Sequence, residues 1–123
     1  MKLMLSIKPK FVQAIFGRTK KYEFRTREPK QNVDEVLIYE TAPVSKVVGS
    51  FTVKRVIVET PKAMRKLTAE YSGLTGKEYW EYYRSKDKAV AFEIGEVVRF
   101  ARPKPLSEFG VKTPPQSYVY LKE

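Results

Sequence analysis

Between Ser6 and Arg25 the chain reads SIKPKFVQAIFGRTKKYEFR. Pro9 suits the first turn of a helix because its φ is fixed and its missing N–H has no partner to lose there. The apolar residues that follow at helical spacing are Phe11, Val12, Ile15 and Phe16. This spacing predicts an amphipathic helix over residues 9–16. Gly17 is expected to end the helix in a left-handed conformation.

The residues after this helix alternate in polarity. Over residues 20–27, Tyr22, Phe24 and Thr26 share one face of an extended chain, and charged residues share the other. The charged face carries Lys21, Glu23, Arg25 and Arg27. The pattern predicts a half-buried strand whose charged face meets solvent.

Five further segments have the composition of strands. They cover residues 3–7, 36–39, 46–58, 88–101 and 117–121. The apolar parity changes near Lys54 and Arg55, which indicates a β-bulge or a corner in the long strand.

Two short helices are predicted between the long strands. Thr60 and Pro61 form a helix start, with Met64, Leu67 and Tyr71 as the expected buried stripe. The order of elements is then β-α-β-β-β-α-α-β-β. This order favours the α+β class, in one domain over residues 1–123: a small, mixed, closed β-barrel with short helices covering its ends.

The second of these helices is rich in aromatic residues. Thr75 and Glu78 form a capping box that opens it, and it runs to about Arg84. Tyr79, Trp80 and Tyr83 fall on one stripe, so we expect all three rings in the core. Tyr82 lies off that stripe, and two interpretations stay open for it: packing in the core, or stacking on an unpaired base.

The composition excludes several kinds of site. The 123 residues include neither Cys nor His, so disulfides, thiolate zinc sites and imidazole catalysis are absent. Any metal would need oxygen ligands, which favours Mg²⁺ or Mn²⁺, and acid–base chemistry falls to Lys, Glu, Asp or Tyr. No apolar run approaches the roughly 20 residues of a membrane span, so we expect a cytoplasmic protein without membrane contact.

Positive charge is concentrated near the start of the chain. The net charge is +10, and residues 1–30 contain nine Lys or Arg against two Glu. Such an excess attracts polyanions. Nucleic-acid binding and an ordinary solvated basic surface both remain open on charge alone.

The opening segment resembles that of ASCH domains, which belong to the PUA-like superfamily of small β-barrels. Lys20, Glu23 and Arg25 keep the Lys-x-x-Glu-x-Arg spacing of the family. The further matches are Tyr39, Glu40, Pro43, Val48, Gly49, Pro115, Gln116 and Ser117. The interval from Gly17 to Lys20 is one residue longer than in the family. Lys21, which shares strand parity with Glu23, is therefore the alternative to Lys20.

The resemblance implies a polar cleft between barrel and helices that binds RNA or a nucleotide-like ligand. The residues expected in this cleft are Lys8, Lys20, Lys21, Glu23, Arg25, Tyr82, Gln116 and Ser117. Arg25 suits a phosphate or carboxylate because a guanidinium can donate two parallel hydrogen bonds. No metal ligand and no cofactor is predicted for a binding module of this kind.

An enzymatic alternative follows from the same resemblance. Some ASCH-like proteins are endoribonucleases, and others are amidohydrolases that act on a modified nucleoside. Lys20 would then serve as base or phosphate clamp and Glu23 as acid–base, with Mg²⁺ or Mn²⁺ as cofactor of a nuclease. The amidohydrolase type carries Thr where this chain has Glu23. A third hypothesis is a regulatory protein whose pocket binds a small metabolite or no ligand.

Overall fold

A computed structural model describes residues 1–122. The strands are β1 (Lys2–Ile7), β2 (Tyr22–Arg25), β3 (Glu35–Glu40), β4 (Lys46–Glu59), β5 (Ala89–Lys104) and β6 (Val119–Leu121). The helices are α1 (Pro9–Phe16), α2 (Pro61–Thr68) and α3 (Gly76–Tyr82), with 3₁₀ turns at Ala69–Tyr71 and Leu106–Phe109. The predicted α+β class and the predicted order of strands and α-helices are confirmed.

The strands form one mixed sheet in the order β2-β5-β4-β3-β1-β6. β1 and β3 are parallel, and the other neighbours are antiparallel. The pairing of β4 with β5 changes register between Val53 and Arg55, which confirms the bulge predicted there. β4 and β5 span 14 and 16 residues, so bulges of this kind let the long pair twist and bend across the fold.

The sheet is open, so the prediction of a closed barrel is not confirmed. β2 and β6 form its two edges, and no backbone pairing within residues 1–122 joins them. β6 pairs only with Lys2–Met4, which leaves the edge of β1 uncovered from Leu5 to Ile7. We call the gap between β2 and this free edge of β1 the seam. Hydrophobic patterning predicts strands but not how near two edges approach.

Side chains bridge the seam in place of backbone bonds. The Arg25 guanidinium donates a hydrogen bond to the Ser6 carbonyl oxygen at 2.9 Å. Tyr118, just before β6, donates its hydroxyl proton to the Arg27 carbonyl oxygen. The two sides are therefore held by polar contacts that leave space between them.

Two apolar clusters build the interior. The first packs α1 against β1, β3, β4 and β5, and includes Leu5, Ile15, Ile38, Phe51 and Phe92. The second packs α2 and α3 against β2 and β5, and includes Phe24, Met64, Tyr79, Tyr83 and Ala91. The second cluster fixes α3 over β2, on one side of the seam.

The expected buried stripe of α2 is wrong in part. Met64 is buried, but Leu67 and Tyr71 are 55% and 40% exposed. The buried partner of Met64 is Thr68, one turn later, whose hydroxyl is satisfied because it donates to the Met64 carbonyl oxygen at 2.8 Å. α2 ends there, and the following 3₁₀ turn changes the direction in which Tyr71 projects.

The expectation for Trp80 is also wrong. Tyr79 and Tyr83 are buried, whereas Trp80 is 47% exposed. Tyr79 fills the space between α3 and α2, and Trp80 packs edge-to-face on its outer side with ring centres 5.1 Å apart.

The turn after α1 differs from its prediction as well. Gly17 has a right-handed φ of −78°, and Arg18 takes the left-handed conformation at +64°. The Arg18 guanidinium donates to the Gly95 carbonyl oxygen at 3.0 Å, which helps to hold this less favourable backbone. None of the helices in the described chain has the length and apolar character needed to cross a membrane.

Candidate functional site

A cavity of about 480 Å³ opens at the seam. The end of β1 and the start of α1 form one wall, β2 forms the second, and α3 with the loop before it forms the third. The lining residues are Ser6, Ile7, Lys8, Phe11, Lys20, Glu23, Phe24, Arg25, Leu74, Glu78, Glu81 and Tyr82. The cavity exists because β6 is too short to cover the end of β1, and because α3 covers the gap from outside.

Glu23 joins the two cations of the site. Its side chain is 8% exposed, and one carboxylate oxygen accepts a hydrogen bond from Arg25 at 2.8 Å. The other oxygen lies 3.9 Å from the Lys20 ammonium nitrogen. The charged face of β2 was expected to meet solvent, and this expectation is wrong at Glu23, because α3 covers it.

Lys20 is buried to 2% exposure, just before β2. Its ammonium donates to the Ser72 carbonyl oxygen at 2.8 Å. It also lies 5.2 Å and 4.8 Å from the ring centres of Phe11 and Phe24, which provide favourable cation–π contacts. Burial lowers the pKa of Lys20, while the Glu23 carboxylate acts in the opposite direction. The site thus contains an amine that loses its proton more readily than an exposed lysine.

Arg25 combines a structural contact with a free donor. Burial by itself lowers the pKa of Arg25, but the charge and hydrogen bond of Glu23 outweigh it, so the net shift is upward and the group stays cationic. Nη2 donates hydrogen bonds to both the Glu23 carboxylate and the Ser6 carbonyl oxygen. Nε is buried and has no acceptor among the described residues. A buried donor left without an acceptor costs about 1–3 kcal/mol, so an acceptor placed here by a ligand would remove that cost.

Two tyrosines fix α3 to the backbone of β2. Tyr82 donates its hydroxyl proton to the Phe24 carbonyl oxygen at 3.2 Å, and Tyr83 donates to the Arg25 carbonyl oxygen at 2.9 Å. Burial raises the pKa of the Tyr82 hydroxyl, which therefore remains a neutral donor. The ring of Tyr82 is 43% exposed and faces the cavity. This arrangement leaves an aromatic surface available at the cavity wall.

The structure brings together five of the eight residues expected in the cleft. Those lining the cavity are Lys8, Lys20, Glu23, Arg25 and Tyr82. Lys21 lies outside it, with its ammonium nitrogen 4.1 Å from the ring centre of Tyr71.

Gln116 and Ser117 also lie outside the cavity, and both are exposed. Gln116 borders a separate concavity formed by the C-terminal segment. The segment reaches the site through its backbone instead, since the Ser6 hydroxyl donates to the Pro115 carbonyl oxygen at 2.6 Å.

The sequence reasoning missed part of the site. Glu78 and Glu81, which were not expected there, share the cavity face of α3 with the expected Tyr82, because the three are spaced three and four residues apart. The sequence did contain this signal. Glu78 was recognised only as the capping residue. The group of Ser72 that binds Lys20 is its backbone carbonyl. Every residue has such a group, so the sequence does not mark this position as part of the site.

Glu78 is held by more than its cap. It accepts from the Thr75 backbone N–H at 2.9 Å and from the Lys10 ammonium at 2.6 Å. The hydrogen bonds from Lys10 and Thr75 lower its pKa to about 2. Within residues 1–122 no cluster of three or more acidic side chains is arranged to hold a metal ion.

Comparison with known proteins agrees with this arrangement. The sequence model of the ASCH domain matches residues 5–98. The crystal structure of the ASCH protein from Zymomonas mobilis superposes with a TM-score of 0.90 at 26% identity, over 99% of this chain and 88% of that one. The N-terminal domain of McrB from Staphylothermus marinus shares the fold alone, with a TM-score of 0.51 at 12% identity over 87% and 77% of the two chains.

Two curated relatives come from Ureaplasma parvum serovar 3. One is the large ribosomal subunit protein uL22, 34% identical over 121 residues, which are 98% of this chain and 39% of that protein. The other is ATP synthase subunit alpha, 32% identical over 98% of this chain and 15% of that protein. The chain thus spans less than two-fifths of either relative. The matched ASCH model, the superposed ASCH structure and the Lys20–Glu23–Arg25 constellation lead to one conclusion: the chain belongs to the ASCH domain family, which has a PUA-like fold.

Proposed function

We propose that this ASCH domain binds RNA through a nucleotide whose base enters the cavity at the seam. The observation that carries the proposal is the buried network of Lys20, Glu23 and Arg25 beside three aromatic rings. The rings are those of Phe11, Phe24 and Tyr82. A base needs flat apolar contacts on its faces and hydrogen-bonding groups at its edge, and this wall offers both.

The charge inside the cavity favours a neutral group. Three cationic side chains and three carboxylates line it, although the whole chain carries a net charge of +10. The volume of about 480 Å³ lies within the range of small-ligand pockets, roughly 300–1,000 Å³. A base would therefore occupy the interior, while its phosphates remain outside on the basic surface.

The unpartnered donor gives the base a specific contact. Arg25 Nε is buried without an acceptor in the described chain, and the nearby Glu23 carboxylate accepts hydrogen bonds. A carbonyl oxygen or ring nitrogen at Nε, next to an amino group at Glu23, would satisfy both. Bases that present an acceptor beside a donor are the expected ligands.

A comparison of two Arg–Glu pairs tests the proposal. Arg25→Gln and Glu23→Gln each remove one charged partner of the buried pair. Each is expected to weaken RNA binding about 10- to 100-fold. This follows because a hydrogen bond to a charged group contributes about 1.5–3 kcal/mol. Binding is measured by the fluorescence anisotropy of a labelled single-stranded RNA at fixed salt.

The matched control is the pair Arg55 and Glu93, whose 2.6 Å contact lies on the surface of the sheet. Arg55→Gln removes the same charge and is expected to change affinity by less than about twofold, because exposed pairs contribute little. Equal losses in Arg25→Gln and Arg55→Gln would mean that only overall charge matters, and the cavity proposal would be wrong. Circular dichroism confirms that each variant is folded.

A hydrolase is the second candidate, and the burial of Lys20 is what favours it. An amine with a lowered pKa, 3.9 Å from a carboxylate, can act as a base or a nucleophile. If the domain cleaves RNA, Lys20→Met and Glu23→Gln should each abolish the shortened product of an end-labelled strand. Lys20→Met keeps the length of the stem, so melting curves separate loss of chemistry from loss of fold. Cleavage that persists in both folded variants would end this hypothesis.

A further inference from the structure

Trp80 is an exposed aromatic residue that does not line the cavity. It projects from α3 with 47% of its surface accessible, and one side of the ring rests on Tyr79. It is the only tryptophan in the chain. A large ring of this kind, fixed on one side and open on the other, is a platform on which a base can stack.

Two exposed cations lie close to Trp80 in the sequence, one on α3 and one just after its end. Lys77 precedes it by three residues on α3 and lies on the same side of the helical axis. Arg84 lies in the turn that follows α3, where its backbone N–H donates to the Glu81 carbonyl oxygen at 3.3 Å. Neither makes an ion pair with any part of the chain that the structure describes. The whole connection from residue 60 to residue 88 contains seven Lys or Arg and four Asp or Glu.

Helical geometry places Lys77 between Trp80 and the cavity. Successive residues of an α-helix are about 100° apart around the axis. Glu78, Glu81 and Tyr82 face the cavity, and Lys77 lies between that face and the direction of Trp80. The path across α3 from the cavity to Trp80 is on the order of one helix diameter, about 10 Å.

We propose that Trp80 stacks on a second base of the same RNA strand, while Lys77 and Arg84 contact the phosphates that lead to it from the cavity. The inference rests on the proposed function and extends it: the ligand is a single-stranded oligonucleotide, and a lone nucleoside fills only half of the site. Single-stranded binding surfaces combine these two elements, aromatic rings for bases and cations for the backbone.

The charge pattern distinguishes RNA from a protein partner at this surface. A protein-docking patch is depleted in lysine and concentrates apolar residues. Here the exposed ring has Lys77 on the same side of α3 and Arg84 just after the helix, and neither cation makes an ion pair within the described residues. Such a surface complements a polyanion.

The natural fluorescence of the chain provides the test. A short single-stranded RNA is expected to quench the emission of Trp80, with a midpoint equal to that from anisotropy of the labelled strand. Trp80→Ala should weaken binding of the strand about 5- to 100-fold, the range that stacking of one base supplies. Trp80→Phe keeps a stacking surface and should restore most of the affinity.

Val98→Ala is the matched control, because Val98 is 52% exposed on β5 and should not matter. Lys77→Gln and Arg84→Gln should each reduce the slope of log affinity against log salt by about 0.7, the value for one phosphate of a single strand.

The outcomes separate this inference from the proposed function. If Arg25→Gln weakens binding but Trp80→Ala does not, the cavity proposal stands and the platform is wrong. If Trp80→Ala weakens binding and the Arg25 and Glu23 variants do not, the strand binds across α3 without the cavity, and both proposals are wrong as stated. Absence of quenching, with self-association that disappears in Trp80→Ala, would identify a protein interface and overturn the inference.

Discussion

At the scale of single residues, the position of Lys20 depends on Gly73. Gly73 has a φ of +72° and follows Ser72, whose carbonyl binds the Lys20 ammonium. A Cβ at Gly73 would approach the Cβ and Cγ of Lys20 to 2.7 Å. The glycine therefore makes room for the lysine stem and also allows the turn that directs the carbonyl.

We expect Gly73→Ala to destabilise the fold and to displace Lys20. Gly110→Ala is the matched control, since Gly110 has a φ of +70° and a Cβ added there would meet no described atom within 4 Å. Both changes carry the left-handed strain of about 1–2 kcal/mol. Only Gly73→Ala adds the steric conflict, so its loss in urea denaturation should be larger by about 1 kcal/mol or more. Equal losses would show that the contact with Lys20 is easily relieved.

Sequence reasoning located the side chains of the site better than its backbone groups. Glu23 and Arg25 stood out on the charged face of a short strand pattern, and Lys20 on the Lys-x-x-Glu-x-Arg spacing of the ASCH resemblance. The choice between Lys20 and Lys21 depended on how the chain turns before β2, and Arg18 rather than Gly17 takes the left-handed conformation there. Strand parity does not extend into such a turn.

At the scale of secondary structure, α3 is fixed at its start by one carboxylate. Glu78 closes the capping box with Thr75, and its ion pair with Lys10 connects α3 to the first turn of α1. These two helices contribute to two of the three walls of the cavity. Protonation of Glu78 would remove the ion pair and loosen the connection.

The stability contributed by Glu78 should depend on pH in the acidic range. Its pKa is lowered to about 2 from an ordinary value of 4.5. A depressed carboxyl pKa stabilises the folded state above the unfolded value, and this contribution is lost as pH falls towards the folded value. Glu78→Gln keeps a capping acceptor but removes the charge. Its melting temperature should lie below that of the parent at pH 6, and the difference should shrink between pH 4.5 and pH 2. A difference in melting temperature that stays constant with pH would mean that the charge of Glu78 does not contribute to stability.

The secondary structure was the most predictable level. The helix over residues 9–16 and the capping box at Thr75 were read correctly from local chemistry. The exposure of Trp80 was not predicted. Helical periodicity shows which residues share a face of the helix, but not which neighbour covers that face. Tyr79 already fills the space beside α2.

At the scale of the whole molecule, the C-terminal segment holds the seam. Pro115 accepts from Ser6, Tyr118 donates to the Arg27 carbonyl, and the Tyr120 hydroxyl accepts from the Lys30 backbone N–H at 2.7 Å. The segment thus touches both β1 and the connection that follows β2. It supports the cavity from behind without contributing a side chain to its lining.

Ser6→Ala should weaken this support. Loss of the 2.6 Å hydrogen bond to Pro115 is expected to cost about 1 kcal/mol in urea denaturation, the usual net contribution of such a bond. Amide exchange in β6 should accelerate, because the segment that leads into β6 loses its hydrogen bond to the end of β1. Ser117→Ala serves as control, since Ser117 is exposed nearby and makes no hydrogen bond within the described chain. Unchanged exchange in Ser6→Ala would show that β6 is held by its strand pairing alone.

The architecture was predictable in class and order but not in closure. Local patterns predicted the elements and their order along the chain, whereas the order of the strands in the sheet and its open edge were not predicted. Whether β2 and β1 pair directly depends on side chains such as Arg25, which occupies the space between them. Periodicity in the sequence does not indicate the distance between β1 and β2.

β4 and β5 pair as far as Glu59 opposite Ala89, although residues 60–88 separate them in sequence. The whole connection, with α2 and α3, therefore begins and ends at two directly paired residues. The connection also carries Met64, Tyr79 and Tyr83 of the second apolar cluster, so a segment that replaced it would have to fill that cluster as well as span the two strand ends. The domain thus resembles an antibody framework only in that a segment carried by the sheet forms one wall of the candidate site, since here the segment is itself anchored in the core.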